Sequence, residues 1–154
     1  METIDIAIRI RAPIERAWEL LSDQEGYTFA KQVSKAELLK EGRDDKNGVG
    51  AILRIRAMGA TIVWEVVGFD PPHRFEYRIT KFPLPFRHDI GTVELISHGD
   101  CTDVRWMSRF EVPVPLAGRM MELIIYRVFG KVHQSTLEQA KVILEACCNH
   151  APPS

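Results

Sequence analysis

The chain has 154 residues, 45% hydrophobic and 27% charged, proportions that exclude a disordered, collagen-like or coiled-coil chain. Twenty basic residues stand against 21 acidic ones, a formal net charge of −1. No uniform positive field exists to hold a phosphate backbone, so nucleic acid is not an expected partner.

Ile4, Ile6, Ile8 and Ile10 alternate with Asp5, Ala7, Arg9 and Arg11, the period-two pattern of a half-buried strand. Pro13 suits the first turn of a helix, and Ile14, Trp18 and Leu21 follow at helical spacing. That helix should stop near Asp23, with a short second helix possible through Phe29. Residues 33–112 then read almost wholly as strand: 33–41, 51–57, 62–69, 74–81, 89–97 and 104–112. Short turns join them, which implies an antiparallel meander. A long helix should run from Leu116 to about Cys148, with Ile125, Phe129, Val132, Thr136, Ala140, Ile143 and Cys147 as its apolar stripe. Residues 1–150 read as one domain and 151–154 as a loose tail. The sheet must cover one apolar face, and the long helix is the element large enough to do so.

No apolar run approaches the roughly 18 residues of a membrane span, and the N-terminus lacks the pattern of a signal peptide. A cytoplasmic location is the expectation. The three cysteines, Cys101 and the adjacent Cys147 and Cys148, make a poor disulfide framework. Cys147, Cys148 and His150 lack a spaced partner motif, so neither a metal nor another cofactor is expected.

Side-chain parity predicts the two faces of the sheet. Arg54, Arg56, Glu65, Glu76, Arg78, Glu94, Arg105 and Arg109 mark the outer one. A type II′ turn at Gly59-Ala60 would pair Ile55 with Trp64 and Leu53 with Val66, all inward. A turn at Gly99–Thr102 would pair Leu95 with Trp106. The concave face then carries Trp64, Tyr77, Asp89, Trp106, Ser108 and Phe110. Asp89 stands out, because a buried carboxylate is costly without partners. His88, its neighbour, should face solvent at the loop end. His133 falls on the inner stripe of the helix, as a cavity-edge group or a satisfied core histidine.

The segments 8–13 (Ile-Arg-Ile-Arg-Ala-Pro) running into 17–23 (Ala-Trp-Glu-Leu-Leu-Ser-Asp), 65–75 (Glu-Val-Val-Gly-Phe-Asp-Pro-Pro-His-Arg-Phe), 88–95 leading to 99–106, and the terminal helix with Leu137-Glu138 together resemble the START-like, helix-grip (SRPBCC) superfamily. The likeness is to its polyketide cyclase/dehydrase and lipid-transport branch and covers nearly the whole chain. The usual Gly-Gly-Thr turn is replaced by Gly99-Asp100-Cys101-Thr102. The resemblance implies an α+β fold: a curved seven-stranded antiparallel sheet wrapped around a long C-terminal helix, with one or two short helices after the first strand and a cavity between. It carries over no catalytic residue, and fold alone does not fix function. It also implies that Gly59-Ala60, 82–86 and 113–116 share one rim. There Phe82, Leu84, Phe86, Val114, Leu116, Met120 and Met121 would either plug the rim or form an apolar contact surface.

Known catalytic signatures are absent. Gly48-Val-Gly50 is only part of a dinucleotide fingerprint, and there is no Gly-x-Ser-x-Gly elbow, Walker motif or His-Glu-x-x-His. Three functions follow as expectations. The first is binding or carriage of a small hydrophobic molecule, contacted by Trp64, Tyr77, Trp106 and Phe110, oriented by Asp89 and Ser108, gated by Phe82, Met120 and Ile124, with Phe86 beside them at the rim as a further ligand-binding residue. The second is a cyclase or dehydratase with Asp89 as acid or base and Tyr77 as proton donor. The third is an interaction module with a closed cavity, in which the Phe82–Phe86 rim makes a transient membrane or protein contact. Sequence leaves the oligomeric state open.

Overall fold

The computed structural model describes residues 2–149, with side chains through residue 146. The tail at 151–154, His150 and the side chains of Cys147 and Cys148 lie outside the described residues. Strand β1 (Glu2–Ile10) leads into α1 (Ile14–Ser22) and a 3-10 helix (Gln24–Phe29). Strands β2 (Val33–Lys40), β3 (Ile52–Ala57), β4 (Ala60–Asp70), β5 (Arg74–Lys81), β6 (Arg87–His98) and β7 (Cys101–Glu111) follow, then helix α2 (Gly118–Asn149). The order across the sheet is β1-β7-β6-β5-β4-β3-β2, every neighbouring pair antiparallel. This is the α+β helix-grip architecture that the sequence implies.

Local chemistry explains the elements. Pro13, at φ −64°, sets the entry to α1, whose Ile14, Ala17 and Leu21 are buried; those positions lie three and four apart on one face. The β3–β4 turn is Met58-Gly59, with φ of 52° and 78°, the paired positive values of a type I′ turn. Gly59-Ala60 is therefore not the turn. Leu53 pairs with Trp64 and Ile55 with Ile62, two residues away from the expected partners. The β6–β7 pairing shifts likewise, Val93 meeting Trp106 and Leu95 meeting Val104. A shift of two leaves every side chain on its predicted face, so the inward set survives the change of register.

One irregularity does change faces. Register slips between His88 and Ile90 in the β6–β7 ladder, His88 opposing Phe110 and Ile90 opposing Arg109. Asp89 is the extra residue of a bulge, which re-aims its flank of the strand. His88 is buried and Asp89 exposed, the reverse of the parity expectation. Further slips fall in β4–β5 and β2–β3.

Helix α2 buries Ile125, His133, Thr136, Leu137, Ala140 and Leu144. Its stripe ends through Leu137 and Leu144, while Ile143, expected inside, is exposed. The helix begins two residues later than predicted, after Leu116 takes φ 65° in the preceding loop. Two packed clusters result. The larger joins α1, the sheet and the C-terminal half of α2. The smaller gathers Ile4, Phe110, Val112 and Ile125, with Phe82, Phe86, Val114, Met121 and Phe129 packed against them. Among the described residues, no helix is long and apolar enough to cross a membrane.

Candidate ligand cavity

Between the concave face of the sheet and α2 lies a cavity of about 300 Å³. Trp64 and Ile62 of β4, Tyr77 and Ile79 of β5, Trp106 and Ser108 of β7, and Tyr27 beyond α1 supply one side. Ile124, Val128, Phe129, Val132 and His133 of α2 supply the other. Met58, Phe82, Pro83 and Leu84 sit at the mouth, where Met58, Leu84 and Ile124 are exposed. Among the described residues, no side chain lining the cavity is an acid, a lysine or an arginine.

A chain of hydrogen bonds runs behind the lining. The backbone N–H of Ile79 donates to His88 Nδ1 at 3.1 Å. That nitrogen is therefore unprotonated, and the neutral ring carries its hydrogen on Nε2. Nε2–H donates to Ser108 Oγ at 2.8 Å. Nearby, the Tyr77 hydroxyl accepts the indole N–H of Trp106 at 2.8 Å. Burial pushes the His88 pKa down to about 4, helped by the nearby His133. Burial likewise raises the Tyr77 phenol to about 12, against the opposing pull of Trp106 and Ser108. Both groups are neutral at pH 7. The His88 imidazole stacks on the Tyr77 ring, centroids 5.5 Å apart and planes 18° from parallel.

The remaining polar atoms are mostly committed elsewhere. Trp64 Nε1–H donates to Gln24 Oε1 at 3.0 Å, the Tyr27 hydroxyl donates to the carbonyl of Leu21, and Thr136 donates to the carbonyl of Val132. His133 Nδ1–H donates to the carbonyl of Phe129 at 2.5 Å. Its pKa is pushed down to about 4 by burial, so Nε2 keeps a lone pair. Both tryptophans thus offer a ligand ring faces rather than N–H groups.

The cavity brings together six of the expected contact residues: Trp64, Tyr77, Trp106, Ser108, Phe82 and Ile124. It leaves out four. Asp89 points away from it and pairs with Arg109, Nη1 to Oδ2 3.2 Å, because the bulge turns it outward. Phe110 is fully buried behind the wall, its ring stacked 5.3 Å from that of Phe86. Phe86 also stacks on Phe82 at 4.4 Å, so it supports the mouth from behind. Met120 is 68% exposed on the outer surface of α2. The rim is thus partly a satellite core and partly an open mouth.

His88, expected at the solvent face, is buried behind the lining, and Tyr27 lines the cavity without a sequence signal that marks it. A one-residue change of phase at the start of β6 hides His88 from any parity argument. Gly91 was a usable signal, since a glycine inside a strand marks a close approach. It faces Tyr77 across the ladder.

The family model described as polyketide cyclase / dehydrase and lipid transport matches residues 1–145. The chain belongs to that family. Its fold is similar to that of the Zhui aromatase/cyclase from Streptomyces sp. R1128, at 18% identity and TM-score 0.79, covering 99% of both chains. A START superfamily protein from Mycobacterium smegmatis aligns at 15% identity and TM-score 0.77, covering 94% of this chain and 98% of that one. A protein from Thermus thermophilus aligns at 22% identity and TM-score 0.76, covering 95% and 99%. At such identities these likenesses establish the fold. No curated protein matches the chain.

Proposed function

We propose that the protein binds and carries a small, uncharged hydrophobic molecule in the cavity between the sheet and α2. The observation that carries this reading is the cavity itself, about 300 Å³, bounded by aromatic and aliphatic side chains with no charged group among them. A dry apolar cavity of about 150 Å³ already accepts benzene, so this one suits a two- or three-ring molecule. The absence of a lining cation disfavours a free carboxylate as cargo, since a desolvated charge needs a partner. The family description, which couples cyclase and dehydrase with lipid transport, agrees with an apolar cargo.

The Asp89 carboxylate is exposed on the other face of the sheet, which disfavours a reaction based on it. The exposed mouth at Met58, Leu84 and Ile124 favours uptake of a ligand over the closed-cavity interaction module.

The test is a thermal-shift panel of uncharged two- to four-ring molecules, read alongside tryptophan emission, because Trp64 and Trp106 line the cavity. A binder at a hundredfold excess over its Kd should add about 2.7 kcal/mol, or roughly 5–10 °C of Tm for a chain of this length. No shift and no emission change across the panel would overturn the reading.

A further inference from the structure

Among the described side chains that line the cavity, His133 Nε2 is the one polar atom left buried without a hydrogen-bond partner. The residue is only 7% exposed. Its other nitrogen is held by the Phe129 carbonyl, which fixes Nε2 as an acceptor. A buried acceptor with no donor is costly and calls for an explanation. The Tyr77 hydroxyl is complementary. Its oxygen accepts the indole N–H of Trp106, and a phenol also has one O–H to donate. The indole of Trp106 joins the two, lying 2.8 Å by its nitrogen from Tyr77 and 4.2 Å, centroid to centroid, from the His133 ring.

We propose that His133 Nε2 and the Tyr77 O–H form a paired recognition site for a hydroxyl-bearing aromatic ligand, the ligand's O–H donating to His133 and an oxygen of the same molecule accepting from Tyr77. This rests on the binding function proposed above and names the chemistry of its ligand. The aromatic class follows from the walls. Trp64, Trp106 and Phe129 present rings, and their polar atoms are already committed. Depression of the His133 pKa keeps the lone pair available at neutral pH.

Matched probes test this: 2-naphthol, which donates and accepts, against 2-methoxynaphthalene, which has the same ring and oxygen but no donor. Binding is followed by calorimetry. The wild type should prefer the naphthol by about tenfold, the usual scale of one hydrogen bond to a buried partner. His133→Phe should erase that preference while keeping affinity for the methoxy compound. Long-range proton–nitrogen spectra of the wild type supply a second readout that needs no variant. The His133 Nε2 resonance should move on adding 2-naphthol and stay on adding 2-methoxynaphthalene. Equal affinities in the wild type, with the Nε2 resonance unmoved by either, would overturn the recognition site and leave the binding function standing. Failure of both probes to bind would overturn both.

Discussion

Tyr77 lies face-on to Gly91, its partner across the β5–β6 ladder, so closely that a Cβ at Gly91 would overlap the phenol ring. The glycine is what lets the ring lie down over the sheet and bring its hydroxyl to Trp106 and Ser108. Gly91→Ala should therefore destabilise the protein by about 1–3 kcal/mol, as overpacking does, and lower Tm by roughly 3–10 °C. It should also weaken ligand binding, because Tyr77 must leave its place. Thermal denaturation with a parallel ligand titration checks both; an unchanged Tm would show that the ring is not pinned there.

Two buried neutral histidines make stability depend on acid. The pKa values of His88 and His133 fall from 6.5 to about 4 on folding, so the unfolded chain binds more protons than the folded one between those limits. Their contribution is complete above about pH 6.5 and is lost as pH falls toward 4, about 3 kcal/mol for each histidine. The groups that act on His88 are His133, Asp89 and Arg78. The carboxylates Asp5, Glu37 and Asp103 are held below their usual range by arginine or lysine partners, so their loss comes at lower pH. Urea midpoints at pH 7.5, 5.5 and 4.5 should fall steadily; a flat profile would contradict buried neutral histidines.

Asp89→Asn should change stability by less than about 1 kcal/mol, because its exposed pair with Arg109 is of the kind that contributes little. Ligand affinity should also stay within twofold. By contrast, Ser108→Ala leaves His88 Nε2–H without an acceptor and should cost about 1–3 kcal/mol. Chemical denaturation of the two variants side by side separates them. A large loss for the Asp89 variant would restore that carboxylate to the site.

The rim divides into wall and surface. Phe110→Ala removes a fully buried ring from between Phe86 and Phe129, and about 3–5 kcal/mol is expected. Met120→Ser, on a largely exposed side chain, should stay within about 0.5 kcal/mol. Equal losses in the two variants would mean that Met120 packs against something in solution.

The fold was legible because its signals are redundant. Alternation along β3–β7 survives a two-residue shift of register, so Trp64, Tyr77, Trp106 and Ser108 face inward although the β3–β4 and β6–β7 hairpins pair two residues away from the expected partners. The site was less legible where one residue decides. The bulge at Asp89 exchanged the faces of Asp89 and His88, and nothing in the local pattern announces an inserted residue. Phe110 and Phe86 face inward as parity requires, yet parity does not say whether an inward ring meets a cavity or another ring. That depends on the packing of Phe82, Phe129 and Ile125, which is a three-dimensional matter.

The central claim is that the space facing α2 is where the ligand sits. Val128→Trp tests it, since Val128 lines the cavity from the helix and an indole there would fill much of it. Native mass spectrometry on wild type and variant, purified in parallel, should show an apolar adduct on the wild type and a bare chain for a variant that still melts cooperatively. An adduct of the same mass and occupancy on the folded variant would place the ligand elsewhere and contradict the account.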